Sequence, residues 1–149
     1  MAQLNNGKAS EIAVKAALDA IKETSFDYQR MYDATSARNA FMAQVGDFQF
    51  FMPGVHGVIE VKSTAHEFRL GKAAFSENQR AKLTRRMNAG GKVWVVVHHW
   101  QTGVWRCLPY VILHEAFDVR SRVSVDLRDV ETLSSAAEAV LDLIERSLA

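Results

Sequence analysis

The sequence predicts an α/β fold in which helices flank a mixed β-sheet. Some segments repeat apolar residues every three or four positions, as amphipathic helices do, and short runs rich in β-branched and aromatic residues, typical of strands, lie between them. The resulting order is one helix, three strands, one helix, two strands and one helix. With 149 residues and a hydrophobic fraction of 48%, the chain is expected to form one domain over residues 1–149 with a real core.

The first predicted element is a helix from residue 11 to about residue 24. Ser10 can serve as its N-cap, and Ile12 and Leu18 are among its apolar positions. Residues 1–8 before it are expected to form a flexible arm. After the helix, residues 26–32 have the composition of a strand, and the polar residues 33–39 predict a loop whose charges could touch substrate.

A β-hairpin is predicted next. Residues 46–52 are rich in aromatic side chains and residues 54–62 in small and β-branched ones, and Pro53 and Gly54 between the two strands form a strong turn signal. Side chains two positions apart on a strand share a face, so Glu60 and Lys62 face the same way. The hairpin would bring Asp47 beside Glu60.

The second half of the chain predicts a helix, two strands and a last helix. Residues 63–74 have an ambiguous pattern, whereas Ser76 and Gln79 form a capping box that opens a helix. The glycines of residues 88–91 end that helix, and residues 101–103 form the turn between the strands. These elements are predicted over residues 76–87 (helix), 92–100 and 104–108 (strands) and about 133–148 (helix).

Asp47, Glu60 and Lys62 are the residue types that a metal-dependent phosphodiesterase needs. Magnesium prefers oxygen ligands and keeps several waters, so two carboxylates and a substrate phosphate suffice for a site. A nearby ammonium can orient the nucleophile or neutralise charge in the transition state. The three side chains therefore predict phosphodiester hydrolysis.

At these residues the sequence resembles the PD-(D/E)XK nuclease superfamily. Its signature is an acidic residue at the start of one strand, followed by Glu/Asp-X-Lys on the next, which here corresponds to Asp47 and the triplet Glu60-Val61-Lys62. The usual proline before the aspartate is replaced by Gly46. The resemblance spans roughly residues 7–100 and implies a restriction-endonuclease-like mixed sheet flanked by helices.

Two further motifs resemble Holliday-junction resolvases, including the RecU type and its phage relatives. These motifs are Gly-x-x-x-Glu ending at Glu11 and Phe-x-x-x-Gln ending at Gln79. The resemblance implies that Asp47 and Glu60 bind one or two Mg²⁺ ions, with Mn²⁺ as the alternative. The backbone carbonyl of Val61 and the Glu11 carboxylate would help in binding. It also implies branched DNA as the substrate, a homodimer, and the host cytoplasm as the location if the chain is phage-encoded.

Each of these residues has a simpler structural interpretation. Asp47 could be a turn residue, and Glu60 and Lys62 could lie on the solvent face of a half-buried strand. An acid such as Glu11 is favoured in the first turn of any helix, and Gln79 is explained by capping alone. Two other functions also remain open: a nuclease for flaps, ends or mismatches, and a catalytically inactive DNA-binding module.

The net charge of +1 conceals an uneven distribution of charge. Residues 62–92 contain eight basic and two acidic residues, whereas the chain from residue 93 onward contains five arginines and eight acids. A cationic surface beside a metal site suits nucleic acid, although lysine and arginine are also common on solvated helices. The DNA-binding candidates are Lys8, Arg38, Arg69, Lys72, Arg80, Lys82, Arg85 and Arg86.

The cysteine and histidine residues give no support for a cysteine nucleophile or a histidine metal site. The one cysteine, Cys107, lies in a strand-like run and is expected to be a small buried hydrophobic residue. His98 and His99 are adjacent on a strand and should point to opposite faces, which argues against a shared metal site. No segment has the pattern of a signal peptide or a membrane span, so a reducing cytoplasm is the expected location.

Overall fold

A computed structural model describes residues 6–31 and 45–149. Its helices are α1 (Asn6–Asp19), α2 (Glu77–Asn88), α3 (Tyr110–His114) and α4 (Ala136–Leu148), with a 3₁₀ turn at Lys72–Ala74 and a π-helical turn at Glu115–Val119. The strands are β1 (Asp27–Arg30), β2 (Phe48–Met52), β3 (Val55–Thr64), β4 (Arg69–Gly71), β5 (Lys92–His99), β6 (Val104–Pro109) and β7 (Ser124–Asp126). No helix within these two ranges is both long and apolar enough to span a membrane.

Five of the described strands form a mixed sheet in the order β1-β2-β3-β5-β6. The pairs β1–β2, β2–β3 and β5–β6 are antiparallel, whereas β3 and β5 are parallel and are connected through α2. The short strands β4 and β7 pair separately. Helices flank a mixed sheet, as the sequence predicts.

The two faces of the sheet carry separate hydrophobic clusters. On one face, Ile59 and Val61 of β3 and Trp94 and Val96 of β5 pack with α1 and α4. On the other face, the alternate residues of β3 and β5 pack with the side of the molecule that contains α2 and α3. The period-2 alternation of the strands therefore fixes which face each side chain of β3 occupies.

The N-terminal predictions are corrected in three places. Residues 6–8 belong to α1 rather than to a flexible arm, and α1 ends at Asp19 rather than near residue 24. Ser10 is a buried interior residue of the helix rather than its cap. Its hydroxyl contacts the backbone carbonyl of Asn6 and the Nδ1 atom of His98, at 2.9 and 2.8 Å. The expected loop at 33–39 lies outside the described residues.

In the second half of the chain, each predicted helix and strand is present as that type of element, but several further elements were missed. α2, β5 and β6 lie within one residue of their predicted bounds, and the last helix begins at Ala136 rather than near residue 133. β4, β7, α3 and the two irregular turns are not anticipated by the sequence interpretation. α3 follows Pro109 directly, because proline is tolerated before the first turn of a helix.

Candidate active site

The β2–β3 hairpin brings Asp47 beside Glu60, as predicted. The backbone amide of Asp47 donates to the carbonyl of Ile59 at 2.9 Å, and the amide of Val61 donates to Oδ2 of Asp47 at 2.7 Å. Gly54 supplies the positive φ of +74° that the turn requires. Asp47 is therefore fixed at both its backbone and its side chain against the strand that carries Glu60.

Gly46 explains the departure from the usual proline. Its φ is +73°, and a Cβ atom added there would lie 2.4 Å from Cγ1 of Val58. Proline is restricted to a φ near −65°, so it cannot adopt this backbone conformation. The glycine is thus the residue that lets the chain turn closely over β3 before Asp47.

Glu60 is the centre of the candidate site. It lies in the middle of β3, between β2 and β5, and is only 4% exposed. Its Oε1 atom accepts a hydrogen bond from Nε2 of Gln79 at 2.7 Å and lies 3.2 Å from Nζ of Lys62. Its Oε2 atom is buried with no hydrogen-bond partner among the described residues. A buried carboxylate oxygen in this state is suited to accept a bond from a cation.

Gln79 combines the two roles that the sequence left open. Its backbone amide donates to the hydroxyl of Ser76 at 3.0 Å, so Ser76 caps α2 as predicted. Its side chain does not return to Ser76 but bridges Glu60 and Lys62, with Oε1 accepting from Nζ of Lys62 at 3.3 Å. The ammonium of Lys62 also lies 4.6 Å from the ring centre of Phe75. One helix thus positions both charged groups of β3.

Glu11 joins the cluster from α1. Its carboxyl shares a hydrogen bond with that of Asp47, and its Oε2 atom lies 3.5 Å from the guanidinium of Arg30. Helix α1 packs against β3, which explains how a residue so distant in sequence reaches the hairpin. The structure thus brings together Glu11, Asp47, Glu60, Lys62 and Gln79.

Two acidic groups of the cluster, Asp47 and Glu60, have raised pKa values. Burial, the charge of Glu60 and the hydrogen bond with Glu11 raise the pKa of Asp47 to about 9. Burial also raises the pKa of Glu60, although the charge of Lys62 opposes this effect. Several carboxyl groups in one low-dielectric site repel each other when ionised, and a bound cation would relieve that repulsion.

The oxygen donors fit a hard divalent ion that keeps part of its water shell. In residues 6–31 and 45–149, no three His, Cys, Asp or Glu side chains surround one common ion position. Mg²⁺ does not require such a cage, because one or two carboxylates with waters and phosphate are a normal site. The carboxylate of Asp47 and the Oε2 atom of Glu60 are therefore the side-chain groups that suit Mg²⁺.

The predicted DNA-binding residues are not all equivalent. Lys82, Arg85 and Arg86 of α2 line a cavity of about 350 Å³ together with Val45 and Ala89. Arg80 points elsewhere and forms an ion pair with Asp118.

The remaining candidates lie apart from that cavity. Arg69 lies in β4, Lys72 in the 3₁₀ turn and Lys8 in α1, while Arg38 falls outside the described residues. Lys82, Arg85 and Arg86 are the candidates that line this cavity in the part of the chain that the structure describes.

Cys107, His98 and His99 occupy structural positions. The Cys107 thiol donates to Oδ2 of Asp142 at 2.9 Å, and burial raises the pKa of this thiol to about 12, so it is not a nucleophile. His98 stacks on Trp105, whereas His99 contacts the carbonyl of Ala65 from the opposite face of β5. The predicted separation of the two histidines is correct.

One charged residue near the site was missed by the sequence interpretation. Arg106 of β6 is 3% exposed and lies on the same face of the sheet as Lys62. The strand pattern could have indicated that Arg106 is buried. Arg106 and Leu108 are two positions apart and therefore share a face of β6, and Leu108 is buried.

Of the comparisons with known proteins, the comparison with solved structures finds a match. Neither protein-family models nor the sequences of curated proteins match the chain. The fold is similar to that of Hjc from Archaeoglobus fulgidus, a Holliday junction resolvase from an archaeal hyperthermophile. The sequences are 17% identical, the TM-score is 0.52, and the match covers 87% of this chain and 97% of that chain. The predicted restriction-endonuclease-like fold class and the resemblance of the fold to resolvases are confirmed.

Proposed function

We propose that this chain is a metal-dependent DNA endonuclease that hydrolyses phosphodiester bonds, with four-way (Holliday) junctions as its substrate. One observation carries the proposal: Lys62 and Gln79 hold one oxygen of the buried Glu60, while its other oxygen is buried without a hydrogen-bond partner among the described residues. A purely structural carboxylate at this depth would be expected to have both oxygens satisfied.

The protein groups around the site have separable tasks. A Mg²⁺ or Mn²⁺ ion held by Asp47 and Glu60, with the carbonyl of Val61 and with Glu11 at a second position, would stabilise negative charge on the scissile phosphate. An ammonium has three N–H donors. Among the described residues, the ammonium of Lys62 contacts two polar groups, the carboxylate of Glu60 and the side-chain amide of Gln79. The remaining donor is available to orient the attacking water. Hydrolysis would then be direct, without a covalent intermediate.

Gln79 acts as a positioning residue in this mechanism, and Gln79→Ala tests it. The variant should lower kcat by about tenfold to a hundredfold, because Lys62 and Glu60 lose the amide that orients both of them. KM should change little, since the Gln79 side chain contacts Lys62 and Glu60 and has no proposed contact with DNA. The Ser76 cap uses only the backbone amide of residue 79 and should survive. Steady-state kinetics and circular dichroism measure the two effects, and an unchanged kcat would contradict the assigned role.

A four-way junction is the substrate that the proposal selects. Two strands of a junction are cut symmetrically, so the proposal includes a two-fold homodimer with one site per strand. Matched synthetic DNAs test the choice: a four-way junction, a linear duplex, a flap and a single strand, each with Mg²⁺ and with chelator. We expect the junction to be cut at least about tenfold faster than the duplex, a difference of about 1.4 kcal/mol, and only with metal. Equal cutting of all four would reject junction selectivity, and binding without cutting would favour the inactive module.

A further inference from the structure

A buried cation, Arg106, lies on the same face of the sheet as the partly buried Lys62. Arg106 pairs in register with Val97 of β5, which pairs with Lys62 of β3. Because neighbouring strands are about 4.8 Å apart, the Cα atoms of Arg106 and Lys62 are about 10 Å apart. No carboxylate of the described residues lies within ion-pair distance of Arg106. A buried cation without such a partner is costly and calls for an explanation.

The contacts of Arg106 are to the segment that follows the catalytic strand, residues 65–68, here called the Phe68 loop. Its Nη1 atom donates to the carbonyl of Glu67 at 2.8 Å, and its guanidinium lies 5.8 Å from the ring centre of Phe68. Its Nε atom is buried and has no hydrogen-bond partner within residues 6–31 and 45–149. Arg106 therefore binds the backbone of the loop and lies beside its aromatic ring.

Two other groups fix the same loop. The Nε2 atom of His99 lies 3.0 Å from the carbonyl of Ala65, and the amide of Leu127 donates to the carbonyl of Phe68 at 2.7 Å. Three of the four loop carbonyls are thus bound by groups from β5, β6 and the segment after β7. The loop is held in place rather than left to solvent.

Phe68 is nevertheless 46% exposed. The benzyl group is large and apolar, and leaving it in water forfeits the stabilisation that burial would give. Its backbone carbonyl is hydrogen-bonded and its ring lies beside the guanidinium of Arg106, so less conformational entropy would be lost on contact with a ligand than for a side chain on a free loop. A half-exposed ring on an anchored loop that follows β3 is suited to stacking.

We propose that Phe68 is a stacking platform for an unpaired or easily unpaired nucleobase at a DNA branch point, with Arg106 as the residue that positions the ring. This inference rests on the proposed nuclease function. Every base presents a π-face, and a guanidinium in contact with the ring reinforces an aromatic platform for stacking. The adjacent Arg69 is exposed and can contact the phosphate next to the stacked base.

The test uses branched DNA with 2-aminopurine at an unpaired position next to the branch, and calcium in place of magnesium. Wild-type protein should quench the 2-aminopurine fluorescence on binding. Phe68→Leu, which keeps an apolar side chain but removes the π-face, should lose the quenching and bind branched DNA about tenfold more weakly. Phe68→Trp should retain both, and Arg106→Met should reduce the quenching.

Controls separate this inference from the function on which it rests. Phe51→Leu removes a ring that is also exposed, to 40%, and lies on β2 away from Arg106, so it should behave as wild type. All variants should bind linear duplex equally. If wild-type protein binds and cuts branched DNA but Phe68→Leu matches it, the platform is rejected and the nuclease stands. If wild-type protein binds no DNA, both are rejected.

Discussion

Replacing Glu60 by glutamine should lower the rate of magnesium-dependent DNA cleavage by at least about a thousandfold, which corresponds to about 4 kcal/mol of transition-state stabilisation. Glutamine has nearly the same shape as glutamate but lacks the negative charge. Its amide would also place an N–H donor near Lys62 or in the position of the unpartnered oxygen. Single-turnover cleavage of a labelled junction measures the loss.

The same variant should still fold and bind DNA. Glutamine relieves the electrostatic repulsion among the buried carboxyl groups, and in chelator the loss of a negative charge should not weaken attraction to phosphate. Glu145→Gln, an exposed position on α4, makes the same chemical change away from the site and should cut at the wild-type rate. If Glu60→Gln cuts as fast as wild type, or if it unfolds, Glu60 is structural and the catalytic proposal fails.

The hairpin part of the site can be predicted from sequence because its geometry is local. The Pro53-Gly54 turn and the period-2 alternation of β3 fix which residues face each other, and the Cα pairing of Phe48 with Ile59 follows. Asp47 then has to lie next to the strand that carries Glu60. A short-range pattern therefore determined the contact between the Asp47 side chain and the backbone of Val61, which are 14 positions apart.

The contribution of α2 was only half predictable. Ser76 and Gln79 are three residues apart, so the cap is a local interaction that the sequence displays. The destination of the Gln79 side chain depends on how α2 docks on the sheet, which is set by the packing of Leu83 and Phe75 against β3 and β5. Docking of this kind is a tertiary property that no local pattern encodes.

Tertiary contacts explain one error and one unforeseen interaction. Ser10 satisfies the pattern of a cap, but the helix begins earlier and tertiary contact with His98 buries the hydroxyl. Arg80 stays a predicted DNA-binding residue, but it also forms an ion pair with Asp118. The two residues are far apart in sequence, so a charge count along the chain cannot detect this pair.

Replacing Asp47 by asparagine should raise the stability of the metal-free protein at pH 8 by about 2 kcal/mol, or roughly 5 °C in Tm for a domain of this size. The pKa of Asp47 is raised to about 9 in the folded state, whereas an unfolded aspartate titrates near pH 4. Its contribution to stability is therefore fully present below about pH 4 and is lost as the pH rises toward 9. Asparagine does not titrate and can still accept the hydrogen bond from the amide of Val61.

The difference in Tm between Asp47→Asn and wild type should therefore grow from pH 5 to pH 9 in chelator. Magnesium should have the opposite effect, raising the Tm of wild type and leaving the variant almost unchanged, because binding to the folded state alone stabilises it. Asp27→Asn, at the exposed start of β1, is the matched control and should follow wild type in both series. Thermal unfolding by circular dichroism measures all three proteins without reference to cleavage. Parallel pH profiles for Asp47→Asn and wild type, or equal magnesium stabilisation of both, would show that Asp47 neither bears the buried charge nor binds the metal.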